Sequence, residues 1–421
     1  MIKYDQSNIK NIIDETNEKV VLLGAGNISG LTFKILTDLG VTVNYLCEND
    51  ERRRNISNIR EVKDYEGFKD LKVISYEELK KLGKKVNIFL SNQYIKYLLP
   101  KLEEDNFQNI FFSTELLKHK NIDEIYKGGL HPLKIKRIVD YYCEMTKKMD
   151  YLKSNHLSLK TLDVQITERC SLKCKDCSNL MQYYSKPQNA EMEDLFLSLD
   201  KIMSVIDSID EFRVLGGDPF MNKEMYKVIN KLDSYNSGAR IAIYTNGQII
   251  PKGENLECLR KKNVILEISN YGNISRNHDK IVKLCEDEKI SYSTFKLEKW
   301  DDCGRIMPYS NKSEKELKHL FSNCCNSDLI SLLDGKLYRC PFSANGTHLG
   351  AIPKNPNDTV NLLNKDLSKD ELKKEIFNLY FNKDYLTACS YCNGRDYTSK
   401  HVPVAAQTRE IMNFAKVNKI N

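Results

Sequence analysis

Three cysteines crowd one short loop, and that crowding constrains this chain more than any other feature. The stretch ITERCSLKCKDCS, residues 166–178, places Cys170, Cys174 and Cys177 within eight positions. A tetrahedral zinc site wants four ligands and usually takes them as two close pairs. Three close thiols without a near fourth suggest a metal centre that keeps one position open for chemistry. The alternative is a structural zinc site completed from elsewhere in the chain. The residues just ahead, TLDVQIT (161–167), alternate like a strand. The cysteines therefore follow a strand's C-terminal end, where α/β folds place their active sites.

Whether thiols bind metal or pair as disulfides depends on compartment. No stretch of the 421 residues approaches the roughly 20 apolar residues that span a bilayer. The start, MIKYDQSNIKNIIDE, has no apolar run like that of a signal peptide. A cytoplasmic protein without a membrane span is expected, and with it metal-bound or catalytic cysteines. With 64 basic and 58 acidic residues the net charge is only +6. Runs such as ERRRN (51–55) fit solvated faces, and no basic stripe with interleaved aromatics marks a nucleic-acid partner. Length suggests two to three domains, and a 41% hydrophobic content is enough for sizeable cores.

Residues 1–118 read as a small doubly wound α/β domain. VVLLGAGNISG (20–30) gives a buried strand and a glycine turn; LTFKILTDLG continues as an amphipathic helix and VTVNYL as a second strand. That context gives meaning to the glycines. Gly24 allows the tight turn, and Gly26 lets backbone amides approach a phosphate at the helix N-terminus. Ser29 replaces the third glycine, with Gly30 one place later, and Glu48 or Asp50 lies where a ribose-binding acid would stand. The fold could also persist here without a working nucleotide site. With GAGNISG, YLCEND and VISYEEL, this quarter loosely resembles the Rossmann-like N-terminal domains of bacterial surface-polysaccharide enzymes. Residues 119–158 carry apolar positions at spacings of three and four, which predicts a connecting helix; Cys143 on it reads as a core residue.

The C-x3-C-x2-C spacing after a first strand resembles the signature of the radical S-adenosylmethionine (SAM) superfamily. The resemblance continues over about 161–309. EFRVLGGDPFMN (211–222) looks like the second strand with the family's Gly-Gly-Glu-Pro turn, here Gly216, Gly217, Asp218 and Pro219. ARIAIYTNG (239–247) matches a strand ending in Thr-Asn-Gly, with Thr245 and Asn246. VILEISNYG (264–272) resembles the next, where Ser269 would face the cofactor ribose. Helical stretches alternate with these strands, which implies a parallel sheet; in this superfamily it is a partial (β/α)6 barrel, here 159–310. The resemblance implies that the three thiolates hold a [4Fe-4S] cluster with one open iron, chelated by the amino and carboxylate groups of SAM. One-electron reduction, by a donor such as flavodoxin or ferredoxin, then releases a 5′-deoxyadenosyl radical that abstracts a substrate hydrogen. Soft thiolates suit iron–sulfur clusters. Gly216 and Gly217 would let carbonyls reach the methionine amino group. Two residues depart from the family: Asp176 stands where an aromatic often precedes the third cysteine, and Asp218 is one methylene shorter than Glu.

A second set follows in residues 311–421. CCNSDLISLLDGKLYRCPFS starts at Cys324; from Cys325 the spacing is C-x9-G-x4-C to Cys340, and ACSYCNGRD supplies Cys389 and Cys392. This resembles the auxiliary-cluster module of SPASM and twitch radical SAM enzymes. Four matching cysteines, against seven in the full pattern, favour the shorter twitch-like version with one auxiliary [4Fe-4S] cluster. A hairpin with Asp334-Gly335 as its turn would present two ligands. Cys324 could replace Cys325, and a zinc ribbon is the alternative for the set. Of the 13 cysteines, Cys258 and Cys285 lie in helical stretches and read as core, whereas Cys303, beside the sole Trp, and Cys324 are candidate hydrogen donors. Arg305 and His348 are candidates for binding an anionic substrate or acting as a base.

Radical SAM chemistry on a carbohydrate-like substrate (a nucleotide-, phosphate- or lipid-linked sugar or polyol) is the expected function, in surface-glycan or secondary-metabolite biosynthesis. An auxiliary cluster that takes the second electron gives alcohol oxidation, the favoured outcome; a donor thiol gives epimerisation. Peptide maturation is disfavoured, since no leader-binding winged helix or long SPASM pattern is seen. A non-catalytic iron–sulfur scaffold is the remaining alternative.

Overall fold

The structure, a computed structural model, describes residues 4, 6–48, 65–92, 95–118, 120–126, 135–136, 139–140, 142–143, 157–322, 324, 326, 329–395 and 399–414. The chain forms two compact units, Met1–Ser154 and Asn155–Asn421.

In the first unit β1 (Val20–Leu23), β2 (Tyr45–Cys47), β3 (Lys72–Ile74), β4 (Asn87–Leu90) and β5 (Asn109–Phe112) form one parallel sheet. Their order is β3-β2-β1-β4-β5. The central strands β1 and β4 are buried along their whole length, which is why VVLL and NIFL read as near-continuous apolar runs. The turn after β1 depends on Gly24, whose φ of +112° is a conformation other residues rarely adopt. Gly26 then caps helix Asn27–Asp38. Ser29, where the glycine pattern lapses, is fully buried and shares a 2.7 Å hydrogen bond with the Ser91 hydroxyl. Most of the predicted connector, 119–158, lies outside the described residues.

The second unit is built on β6 (Ser158–Thr167), β7 (Ser208–Gly216), β8 (Arg240–Thr245), β9 (Val264–Asn270) and β10 (Tyr292–Lys296), all parallel to their neighbours. A short β11 (Lys299–Asp301) follows; then β12 (Ile330–Leu333) adds in parallel beside β6. β13 (Lys336–Tyr338) and β14 (Thr359–Asn361) extend that edge antiparallel. The hairpin thus belongs to the same eight-stranded sheet, ordered β10-β9-β8-β7-β6-β12-β13-β14. Its turn is Asp334-Gly335, both at positive φ, as a tight two-residue hairpin requires. β15 (His401–Pro403) pairs with β11 in a separate ribbon.

Alternation along β6 separates two environments. Leu162, Val164 and Ile166 join the apolar core with Leu199 and Val228 of the flanking helices. Asp163 and Gln165 make polar contacts instead. Asp163 meets Arg213 of β7 at 3.3 Å, and that guanidinium lies 4.8 Å from the Tyr244 ring centroid. Gln165 and Asn345 exchange amide hydrogen bonds at 3.0 and 2.9 Å. Mixed α/β architecture on parallel sheets, the class expected from strand–helix alternation, is what both units show. Among the described residues no helix is long and apolar enough to cross a membrane.

Candidate active site

Parallel register brings the ends of β6 and β7 side by side, with Thr167 opposite Gly216. The cysteine loop leaves β6 there and lies against the glycine turn. Gly217 N donates to Thr167 O and Asp218 N to Arg169 O, each at 2.9 Å. A methyl carbon at Gly216 would fall 2.0 Å from Thr167 O, and one at Gly217 2.1 Å from Arg169 O. Gly216 is therefore required by the approach of the end of β6 and Gly217 by that of the cysteine loop's backbone, a reason distinct from the ligand access inferred from sequence. Asn179 fixes the Gly216 carbonyl at 3.0 Å.

Asp218 is fully buried. Its carboxylate accepts from Phe220 N (3.1 Å), Thr245 Oγ1 (2.8 Å) and Asn246 N (3.0 Å). It thus ties the glycine turn to the Thr-Asn-Gly end of β8, while burial raises its pKa. Pro219 opens the short 3-10 turn Pro219–Met221 that follows. Asn246 reaches back to the loop, donating to Cys170 Sγ at 3.5 Å and to Ser171 Oγ at 3.2 Å.

The three thiols are mutual electrostatic neighbours. Burial raises the pKa of each, Cys174 to about 12. A thiolate at such positions needs cationic compensation, which a metal supplies. Amide donors also converge on the sulfurs: Leu172 N on Cys170 at 3.5 Å and Gln407 Nε2 on Cys174 at 3.2 Å. A soft, partly buried donor set with N–H groups aimed at its sulfurs fits a thiolate-held iron–sulfur cluster. Among the described residues no three His, Cys, Asp or Glu side chains converge closely enough for one metal ion, so this fit rests on the chemistry of the loop. Tyr271, just past β9, is held by Ser269 and lies within electrostatic reach of all three thiols.

The expected second-set residues gather around one cavity. Cys340, Cys389 and Cys392 line it with Cys303, Cys324 and Ser178, one residue beyond Cys177. Burial pushes Cys340, Cys389 and Cys392 up to about 12. Cys340 caps helix Pro341–His348 and accepts from Ser343 N at 3.2 Å; Cys392 accepts from Gly394 N at 3.3 Å. Lys312 donates to the carbonyls of Cys389 and Cys392 at 3.3 and 3.2 Å. This donor set, too, fits a thiolate-held cluster. Cys325 lies outside the described residues. Arg305 faces the loop, its Nε 2.5 Å from Asp176 Oδ1; Gly304 has no room for a side chain because Asp176 O lies against it.

A cleft of about 660 Å³ opens beside the loop, walled by Thr167, Glu168, Tyr184, Asn189, Asp334 and His348. His348 Nε2 lies 3.1 Å from Glu168 Oε1, and its Nδ1 3.7 Å from Asp334 Oδ2. The Glu168 carboxylate raises the His348 pKa above its ordinary value. Of the front residues, Gly24 and Gly26 sit at the turn after β1, Glu48 follows β2 with its amide on Ile74 O at 2.9 Å, and Asp50 lies outside the described residues.

A family model described as "4Fe-4S single cluster domain" matches residues 164–289. The GTP 3′,8-cyclase of Clostridium acetobutylicum is 34% identical over 92 residues, 22% of this chain and 28% of that protein. That of Helicobacter pylori is 24% identical over 133 residues, 30% and 38% of the two chains. The chain thus spans well under half the length of these curated relatives. Among solved structures, BtrN in complex with AdoMet and 2-DOIA overlaps 60% of this chain and 97% of its own at TM-score 0.35 and 15% identity. The anSMEcpe protein with bound AdoMet overlaps 56% and 82% at TM-score 0.37 and 14% identity. Overlaps this loose assign neither substrate nor reaction. Residues 164–289, which carry the triplet and the glycine turn, are thus similar to a 4Fe-4S single cluster domain, and the thiolate donor set of the loop fits a [4Fe-4S] cluster.

Proposed function

We propose that this chain is a radical SAM enzyme, with SAM bound at the triplet's cluster, that oxidises an alcohol of a carbohydrate-like substrate, with a second [4Fe-4S] cluster in a twitch-like module held by Cys340, Cys389, Cys392 and one further cysteine. The observation that supports this most is the cavity where those three thiols meet Cys303 and Cys324, with Ser178 of the first loop on its wall. When bound, the first cluster with SAM supplies a hydrogen-abstracting radical, and the second cluster a place for the electron left behind. The chain's own residues do the rest. The polar cleft binds hydroxyl groups through Thr167, Asn189 and Tyr184. His348, oriented by Glu168, takes the proton that leaves the alcohol oxygen. Tyr271, within electrostatic reach of the triplet, offers the aromatic side chain that the position before the third cysteine, Asp176, does not. Gly216 and Gly217 keep the loop seated against β7.

The first unit's strand order and Gly24 turn support a Rossmann-like domain able to bind a nucleotide or phosphate group. A one-electron reductant of flavodoxin or ferredoxin type is the implied partner. A second reading, epimerisation, is favoured by Cys303 and Cys324, either of which could return a hydrogen atom. Product analysis in deuterated water separates the two. A new carbonyl and no carbon-bound deuterium supports oxidation; deuterium at one carbon without a carbonyl overturns it in favour of epimerisation.

A further inference from the structure

The C-terminal segment 405–408 runs alongside the cysteine loop. Lys175 N donates to Ala406 O at 2.7 Å and Thr408 N to Lys173 O at 2.8 Å, and Cys174 and Gln407 form an antiparallel bridge. Gln407 uses both ends of its amide. Its Oε1 accepts from Lys173 N at 2.7 Å. Its Nε2 donates to Cys174 Sγ at 3.2 Å and to Ala405 O, which fixes the amide's orientation. Ala405 itself is fully buried at φ +49°, so the segment is anchored. No other described side-chain amide reaches Cys174.

We infer that Gln407 is a positioning residue for the cluster site: it aligns Cys174 and sets the reduction potential of the cluster by donating an N–H to that sulfur. This rests on reading the triplet as the cluster's ligands. Reduction adds negative charge that spreads onto the ligand sulfurs, and a donated N–H stabilises it. Hydrogen bonds to cluster sulfurs are among the terms that set the potential. Removing the donor disfavours the reduced state. A hydrogen bond to a charged group contributes about 1.5 kcal/mol or more, equivalent to about tenfold in an equilibrium constant, or about 59 mV for a one-electron couple.

The experiment is an EPR-monitored redox titration of the full chain, reconstituted without oxygen, as wild type, Gln407→Ala and Gln407→Glu. The triplet's signal is identified by its loss in a Cys170/Cys174/Cys177→Ala variant; if that variant loses neither iron nor signal, the cluster reading itself fails. Given that loss, Gln407→Ala is expected to retain its iron and titrate about tenfold harder to reduce. Gln407→Glu keeps an acceptor for Lys173 N, removes the donor to sulfur and adds a charge, so its potential falls further. If Gln407→Ala does not hold iron, Gln407→Glu alone decides. Potentials within about 18 mV of wild type, less than a twofold change in the equilibrium constant, at full iron content overturn the inference. So does loss of iron from both variants with unchanged circular dichroism, since Gln407 would then anchor the loop without acting on the sulfur.

Discussion

Gly217→Ala tests how the site is assembled. A methyl carbon there would lie 2.1 Å from Arg169 O, 2.5 Å from Arg169 C and 2.9 Å from Cys170 Cβ. An ordinary carbon–oxygen contact is about 3.3 Å, so the loop must retreat by about 1.2 Å. It cannot do so while Gly217 N and Asp218 N each hold a 2.9 Å bond to it. Overpacking of this kind costs about 1–3 kcal/mol, and a lost backbone hydrogen bond about 1 kcal/mol more. The expected fall in stability is about 2–4 kcal/mol by urea unfolding. Cys170 moves with the displaced backbone, so the variant should also lose about four irons per chain, one [4Fe-4S] cluster. Gly26→Ala is the control: nothing lies within 4 Å of the added carbon, and a glycine-to-alanine change at a helix N-cap costs only about 1 kcal/mol or less. A Gly217→Ala protein with full iron and unchanged unfolding would refute the reasoning.

Three further expectations follow from the same geometry. Because Glu168 raises the His348 pKa, the neutral base forms only above its ordinary range; turnover should rise with pH through that higher value, and Glu168→Gln should shift the profile to lower pH. The linked stability is fully present below the unfolded value near 6.5 and fades as pH rises through the folded one, a dependence that Glu168→Gln should weaken, leaving the smaller contribution of Asp334, in urea unfolding at two pH values. Arg305→Ala leaves the buried Asp176 carboxylate without its cation; discounted for the exposed guanidinium, the loss should be about 1–3 kcal/mol, with Arg305→Lys in between. Iron analysis of Cys303→Ser, Cys324→Ser and Cys325→Ser separately should show a lower iron content only for the fourth ligand of the second site; of these, Cys303 and Cys324 line the cavity among the described residues.

The first site was legible because its information is local. A triplet within eight residues, a glycine pair and Thr-Asn-Gly each sit at a strand end, and parallel register brings those ends together. What was not legible depends on partners far apart in sequence. Asp218 looks like a ligand-binding acid until its three donors from Phe220, Thr245 and Asn246 are seen. Arg305 looks available for substrate until Asp176 is found beside it. Gln407, 233 residues from Cys174, sits in a segment with no pattern of its own. Cys303 joins the second cysteine set only because the chain after β11 turns toward that cavity, and no spacing rule includes it. The polar contacts of Asp163, Arg213 and Gln165 interrupt a strand pattern that composition alone cannot interpret.

Iron per chain after anaerobic reconstitution, in wild type and in the Cys170/Cys174/Cys177→Ala variant, tests the central claim most directly. Two separately held [4Fe-4S] clusters predict about eight irons falling to about four. About four falling to none would leave the second cysteine set without a cluster and remove the physical basis for oxidation. An iron content unaffected by the triple substitution would contradict the assignment of the triplet itself.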